Sequence, residues 1–239
     1  MQYLPGGNLD QKIKKDGPIP FEEALEITRQ IAKGLEAGHR KNLVHRDVKP
    51  ANILFDEDGN ALIGDFGVAH TVQLSSMGTM SQTSTGVGTP SYRPPELWNG
   101  TPPPSPATDQ YSLACILVEM LTGTPLFDGE STPGIMTKHF QSLKLPIEVD
   151  ESLRYGLETA LQQKPEDRFD SITDFTSSLV IAEKSRSIED YEQKAESEIT
   201  LSAIKEVEEN SFKRSHKATT PFIDNEIEYF GSECEFNIV

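Results

Sequence analysis

Hydrophobic residues between about positions 20 and 40 follow the repeat of an α-helix. Apolar side chains recur there at intervals of three and four residues: Ala24, Ile27, Ile31 and Leu35. This spacing puts them on one face, so the sequence predicts an amphipathic helix that buries that face. Ile172, Phe175 and Leu179 show the same spacing and predict a final amphipathic helix.

A second hydrophobic pattern covers residues 109–122, where apolar residues occupy nearly every position. A helix that is apolar all round is buried in the middle of a domain. Two short apolar runs, Ile53–Phe55 and Ala61–Ile63, flank five residues that include Asp58 and Gly59. This arrangement predicts a β-hairpin. The predicted fold class is therefore mainly α, strictly α+β, with a small β-hairpin sheet in a helical domain.

Composition and charge exclude several classes of protein. The longest apolar stretch, residues 113–120, is too short to cross a bilayer and contains Glu119, so we expect no membrane segment. The net charge of −16 argues against nucleic-acid binding, which depends on Lys and Arg. Cys115 and Cys234 lie far apart and the start lacks a signal-peptide pattern. We therefore expect a cytoplasmic protein.

The acidic charge is concentrated towards the end of the chain. Residues 183–239 hold 14 of the 38 acidic residues and 7 of the 22 basic ones. The net negative charge per residue is therefore more than twice as high in this tail as in the rest of the chain. We predict a folded domain over residues 1–182 and an acidic tail over 183–239. Such charged runs are most often solvated helix or disorder.

Three motifs follow one another in the middle of the chain. They are His45-Arg46-Asp47 with Lys49 and Asn52, then Asp65-Phe66-Gly67, and then Pro95-Glu96. The predicted hairpin separates the first two, and a loop rich in Ser and Thr separates the last two. This order and spacing resembles the eukaryotic-like serine/threonine protein kinases of the bacterial type. Residues 1–182 resemble the C-terminal lobe of that domain, starting at the hinge.

The resemblance implies phosphoryl transfer from ATP with Mg²⁺ to a protein substrate. Asp47 would be the base or orienting group for the attacking hydroxyl. Lys49, which is typical of serine/threonine kinases at this place, would put a cation near the γ-phosphate. Asn52 and Asp65 supply the oxygen ligands that Mg²⁺ prefers. The hydroxyl of Thr89 would lie between Asp47 and Lys49.

Residues 1–9 resemble the end of the fifth strand and the hinge of a kinase. The resemblance gives the backbone of Leu4 a hydrogen bond with adenine and gives Asn8 a contact with the ribose. Leu54 would form the floor under the base.

The resemblance also assigns structural and regulatory residues. Asp109 would open the buried helix and brace the catalytic loop, and Arg168 would pair with Glu96. His45 and Gly67 belong to the motifs as structural residues, Gly67 because it permits backbone angles closed to others. Arg46, which precedes the catalytic Asp47, would pair with phosphate on the activation loop. Within that loop Thr83 is the first candidate for phosphorylation and Ser81 the second.

No glycine-rich phosphate loop and no Val-Ala-Ile-Lys strand precede the hinge. We therefore expect either that the real gene starts upstream and supplies the ATP-covering N-lobe, or that the chain is a fragment or a truncated copy. In each case we expect this chain alone to phosphorylate proteins near background. The alternative is a kinase remnant that acts as a non-catalytic protein-binding module. A small-molecule phosphotransferase is a third reading, disfavoured by Lys49, by the Ser/Thr-rich loop and by Pro95-Glu96.

Overall fold

A computed structural model of the chain describes residues 6–66 and 89–180, together with Lys205. Residue contacts divide the chain into two compact units, Met1–Ile188 and Glu189–Val239, and the second is described only at Lys205. The α-helices of the first unit are α1 (Leu9–Asp16), α2 (Phe21–His39), α3 (Pro95–Asn99), α4 (Pro106–Thr122), α5 (Thr132–His139), α6 (Glu151–Ala160) and α7 (172–180). The strands are β1 (Ile53–Phe55) and β2 (Ala61–Ile63). The predicted fold class, mainly helical with a small hairpin, is confirmed.

The core of the first unit is built around α4. Every residue of this helix from Thr108 to Met120 is buried, and the helix contacts both α2 and α6. The prediction of a buried helix is confirmed, but its start is corrected: it begins at Pro106, so Asp109 lies in the first turn and does not open the helix. Ser105 precedes the helix, and its backbone N–H donates to Thr108 Oγ1. Proline at the first helical position explains the early start.

The two predicted amphipathic helices bury the predicted faces. In α2 all four apolar residues of the stripe are at most 4% exposed. Ile172, Phe175 and Leu179 of α7 are also buried. Among the described residues, no helix is long and apolar enough to span a membrane.

The hairpin is antiparallel, as predicted, and pairs Leu54 with Leu62. Ile53 and Phe55 of β1 point into the core, whereas the Leu54–Leu62 pair lies on the opposite face, with Leu62 44% exposed. The segment that leads into α1 adds to the sheet, since Gly6 N–H donates to Phe55 O. A Cβ on Gly6 would lie 2.7 Å from Phe55, so only glycine allows this close approach.

Candidate active site

Three polar side chains converge in the loop at residues 45–52, which follows α2 without regular structure until a short 3-10 turn, Pro50–Asn52. Lys49 Nζ lies 2.7 Å from Asp47 Oδ2. Asn52 Nδ2 donates to the backbone oxygen of Asp47 at 2.8 Å and to its Oδ2 at 3.2 Å. Both charged side chains remain about a fifth exposed. The carboxylate is therefore held by two donors and stays open to an incoming molecule.

The loop takes its shape from Asp109, on the buried helix α4. The two carboxylate oxygens of Asp109 accept hydrogen bonds from the backbone N–H of His45 and of Arg46, each at 2.8 Å. Arg46 has φ 67°, a left-handed conformation that costs a non-glycine residue free energy. His39 Nε2 lies 2.8 Å from the same carboxylate. These bonds fix the backbone immediately before Asp47.

His45 connects this loop to the end of β2. Its Nε2 lies 2.7 Å from Gly64 O, so this nitrogen carries the hydrogen and Nδ1 accepts the backbone N–H of Asp47. Gly64 N–H in turn donates to Asn52 O at 2.8 Å. The two connections bring Asp65, the next residue, to the side of the loop that carries Asn52.

Phe66 packs behind the same connection. Its ring meets that of His45 edge to face, with the ring centroids 4.8 Å apart. A Cβ on Gly38 of α2 would lie 2.7 Å from the Phe66 ring, so glycine makes room for it. The position of Phe66 therefore depends on two residues that precede it by about twenty and thirty positions.

Asn52 and Asp65 present the donor set that a magnesium ion takes. Asn52 donates from its amide nitrogen to Asp47, which leaves its side-chain carbonyl oxygen for a ligand. Asp65 is exposed, and its backbone has a φ of 56°. Oxygen donors of this kind fit Mg²⁺, which usually takes one or two protein ligands and completes its shell with phosphate and water. Within residues 6–66 and 89–180 no group of three or more acidic, His or Cys side chains could hold a metal.

The apolar face of the hairpin lies beside the predicted hinge. Asn8 forms an isolated antiparallel bridge with Leu54, which is half-buried and pairs across the sheet with Leu62. Asn8 Oδ1 accepts the backbone N–H of Gln11 and so caps α1. The structure therefore brings two of the predicted nucleotide contacts together and shows that the Asn8 side chain also has a capping role.

Across the loop lies the 3-10 turn Pro90–Tyr92, which begins after Thr89. Thr89 is exposed and lines a small cleft with Asp47, Lys49 and Arg93. Burial lowers the pKa of the Arg93 guanidinium, and the neighbouring Asp47 carboxylate raises it again in part. The structure thus places Thr89 with Asp47 and Lys49 and adds Arg93, a cation that was not predicted, to the cleft.

The turn is followed by a buried ion pair at the start of α3. Arg168 Nη1 and Nη2 each donate to one oxygen of Glu96 at 2.9 Å, and both side chains are at most 1% exposed. Thr108 Oγ1 donates to the same carboxylate at 3.0 Å, and Arg168 Nη1 also donates to Ala107 O. The pair therefore ties the segment after the turn to the first turn of α4.

Comparison with known proteins identifies the family. A protein kinase domain model matches residues 1–188. The chain belongs to the protein kinase family. Its curated relatives include a probable serine/threonine-protein kinase of Clostridium perfringens, 33% identical over 203 residues, and the serine/threonine-protein kinase PknB of Mycobacterium leprae, 32% identical over 185 residues. These matches cover 83% and 75% of this chain.

The serine/threonine-protein kinase PknH of Mycobacterium bovis is 35% identical over 182 residues, or 73% of this chain. This chain spans only 29% of the length of each of these three relatives. By family the protein is therefore a bacterial-type, eukaryotic-like serine/threonine kinase, and the predicted family is confirmed.

Four residues that were predicted for this kinase lie outside the described residues. They are Leu4, Gly67, Ser81 and Thr83. Their nucleotide-binding, structural and regulatory roles stay predictions.

The residues that shape the site and were not predicted include His39, Arg93 and Ser112. Ser112 Oγ donates to Tyr92 O at 2.8 Å. His39 contacts Asp109 only because the fold brings them together, since the two residues are 70 positions apart in the sequence. Arg93 could have been found from its place four residues after Thr89. The others carry no local signal, because each acts through a partner brought near by the fold.

Proposed function

We propose that this kinase transfers the γ-phosphate of ATP to Ser or Thr hydroxyls of a protein substrate. The observation that carries the proposal is the contact of Asp47 with Lys49 and Asn52 beside the exposed Thr89. A carboxylate held open in this way can accept and orient the substrate hydroxyl. Lys49, next to it, can stabilise the charge on the transferring phosphoryl group. Thr89 lies on the side from which the hydroxyl would approach.

Magnesium would be bound by the Asn52 carbonyl oxygen and the Asp65 carboxylate. The bound ion would neutralise charge on the phosphates, which is its general contribution to phosphoryl transfer. The bond from Gly64 N–H to Asn52 O supports this assignment, since it holds the two ligands on neighbouring backbones. Adenine would lie on the Leu54–Leu62 face, with the ribose near Asn8 and the hinge backbone at Leu4.

Structural and regulatory roles complete the proposal. His45, Asp109 and the Glu96–Arg168 pair would hold the catalytic loop and the substrate segment, and Gly67 would continue the chain after Asp65. Arg46 would pair with a phosphate group carried by Thr83 or Ser81 on the activation loop. We further propose that the kinase domain ends near residue 182, that the acidic tail lies outside it, and that the protein acts in the cytoplasm on other proteins.

The test is transfer of radiolabelled phosphate from Mg-ATP to myelin basic protein. It uses the 239-residue chain and a longer protein in which the N-lobe of PknB precedes residue 1, since the sequence leads us to expect higher activity in the longer form. Asp47→Asn should reduce the rate by about a thousandfold. Asp58→Asn, the same change in the exposed hairpin turn, is the matched control and should leave the rate unchanged.

Two outcomes separate the alternatives. Activity that survives Asp47→Asn would contradict the assignment of Asp47. If neither protein transfers phosphate above the Asp47→Asn background, the reading as a non-catalytic binding module replaces the kinase proposal. Asp65→Ala should also abolish thermal stabilisation by Mg-ATP in the longer protein, and stabilisation that persists would contradict the metal assignment.

A further inference from the structure

His139, the last residue of α5, lies beneath the turn that carries Thr89. It is 2% exposed and its ring contacts three aromatic neighbours, of which Phe127 is nearest with the ring centroids 4.0 Å apart. A buried histidine could serve only as packing. Both of its ring nitrogens, however, have polar partners, and these partners belong to two different parts of the chain.

The partners fix which nitrogen carries the hydrogen. Nε2 lies 3.0 Å from Pro90 O, and a carbonyl oxygen can only accept, so Nε2–H is the donor. Nδ1 lies 2.9 Å from the Tyr111 hydroxyl and therefore accepts from it. Burial raises the pKa of Tyr111 well above its usual value and lowers that of His139 to about 4. Near neutral pH the pair is uncharged and both hydrogen bonds keep the same direction.

Tyr111 connects this pair to the far end of the same segment. The Arg168 guanidinium carbon lies 4.7 Å from the centre of the Tyr111 ring, and Arg168 forms the buried pair with Glu96. The segment at residues 89–96 is thus held at its start through Pro90 and at its end through Glu96. Both connections meet at Tyr111, on the central helix α4.

We propose that His139 is a positioning residue for the Thr89-bearing turn and thereby controls how well the site accepts the protein substrate. Pro90 O also accepts the backbone N–H of Arg93 at 3.2 Å, so the imidazole bond fixes the acceptor on which the 3-10 turn closes. The turn sets the position of Thr89 and Arg93 relative to Asp47. The consequence for the substrate rests on the proposed kinase function, whereas the positioning of the turn by the His139–Pro90 hydrogen bond does not.

The hold on the turn is tested by hydrogen exchange of backbone amides in the 239-residue chain at neutral pH. His139→Phe keeps an aromatic ring and removes the donor. It should reduce the protection of the Tyr92 and Arg93 amides by about tenfold and leave Leu117, in the middle of α4, unchanged. His139→Gln keeps an N–H donor and should restore part of the protection. Tyr111→Phe removes one oxygen atom and should give a smaller loss at the same two amides.

Three results would overturn the proposal. One is unchanged protection of Tyr92 and Arg93 in His139→Phe. Another is an equal loss at Leu117, which would mean that His139 only packs. The last is the absence of any rescue by Gln together with no local loss in Tyr111→Phe, where the packing is nearly intact.

The consequence for the substrate is measured in the longer protein used for the kinase assay. His139→Phe should raise KM for myelin basic protein about tenfold and leave KM for ATP within about twofold. An equal change in both constants would contradict a role at the substrate turn. If the assay shows no transfer even for the unmodified protein, the kinase proposal fails while the exchange experiment still decides whether His139 holds the turn.

Discussion

The proposed catalytic loop at residues 45–52 and the proposed substrate segment at residues 89–96 both contact α4, but they are held in different ways. The loop depends on one carboxylate, Asp109, whose oxygens accept two backbone N–H groups. The segment has separate attachments at Pro90, Tyr92 and Glu96. Removing this one group should release the His45 and Arg46 amides together, whereas the segment should loosen attachment by attachment.

The largest effect is expected when the buried ion pair of the substrate segment loses one partner. Arg168→Ala leaves the Glu96 carboxylate buried without its main partner and should lower the free energy of unfolding by about 3–5 kcal/mol. Arg154→Ala is the matched control, because Arg154 pairs with Glu151, whose side chain is 90% exposed. That change should cost about 1 kcal/mol or less. Urea unfolding of the two variants gives both values, and similar losses would contradict the comparison.

The contribution of the buried His139 to stability should be sensitive to acid. Burial lowers the pKa of His139 to about 4, below its usual value near 6.5. The unfolded chain therefore binds a proton first as the pH falls, and stability is lost from pH 6.5 down to 4. The free energy of unfolding should fall by about 1.4 kcal/mol per pH unit over this window, about 3 kcal/mol in all.

The same pH series on His139→Phe isolates this contribution, since that variant lacks the titrating group. The slopes of unfolding free energy against pH should differ between the two proteins by an amount that corresponds to about one bound proton. Parallel slopes would show that His139 does not hold its neutral form in the fold.

The catalytic loop should respond as a unit to a change at Asp109. Asp109→Asn keeps the side-chain size but removes the charge and one acceptor, and we expect a loss of about 2–3 kcal/mol in unfolding free energy. Hydrogen exchange should show the His45 and Arg46 amides losing protection together. Asp10→Asn, at an exposed pair with Lys14, is the control and should change neither measurement. Loss at only one of the two amides would contradict the expectation that the loop is released as a unit.

The smallest effect is expected at Tyr92. Its hydroxyl donates to Glu119 Oε2 at 2.6 Å, and burial raises the pKa of that carboxyl above its usual value. Tyr92→Phe removes the donor and should cost about 1–2 kcal/mol at pH 7. Because the pKa is raised, ionised Glu119 destabilises the fold, and the Tyr92 hydroxyl offsets part of that effect. The loss of unfolding free energy caused by Tyr92→Phe should therefore shrink as the pH falls and the carboxyl is protonated. Unfolding measured at pH 7 and pH 5 tests this, and a cost that grows in acid would refute it.

The sequence was sufficient for the elements that have a periodic pattern and for the motifs that lie close together. Ile31 and Leu35 could be assigned to a buried face because the spacing alone determines it. Lys49 and Asn52, whose side chains contact Asp47, lie within five positions of it, so a local motif identified them.

The rest depends on contacts between distant parts of the chain. His139 reaches Pro90 across 49 positions and Tyr111 across 28, and neither contact leaves a trace in the local pattern. The start of α4 was misplaced for a simpler reason. The apolar pattern begins after the first turn, whereas Ser105 and Pro106 begin the helix itself.

Asp109 also has a consequence for the order of folding. Its hydrogen bonds to His45 and Arg46 close loops of 64 and 63 residues, so the chain must bring distant segments together before the loop has its acceptor. During synthesis the residues around Asp47 leave the ribosome well before α4 is complete. The left-handed backbone at Arg46 then lacks the Asp109 carboxylate. The geometry that we propose for catalysis is therefore acquired only when the central helix has docked, and an incomplete chain carries the motif without that geometry.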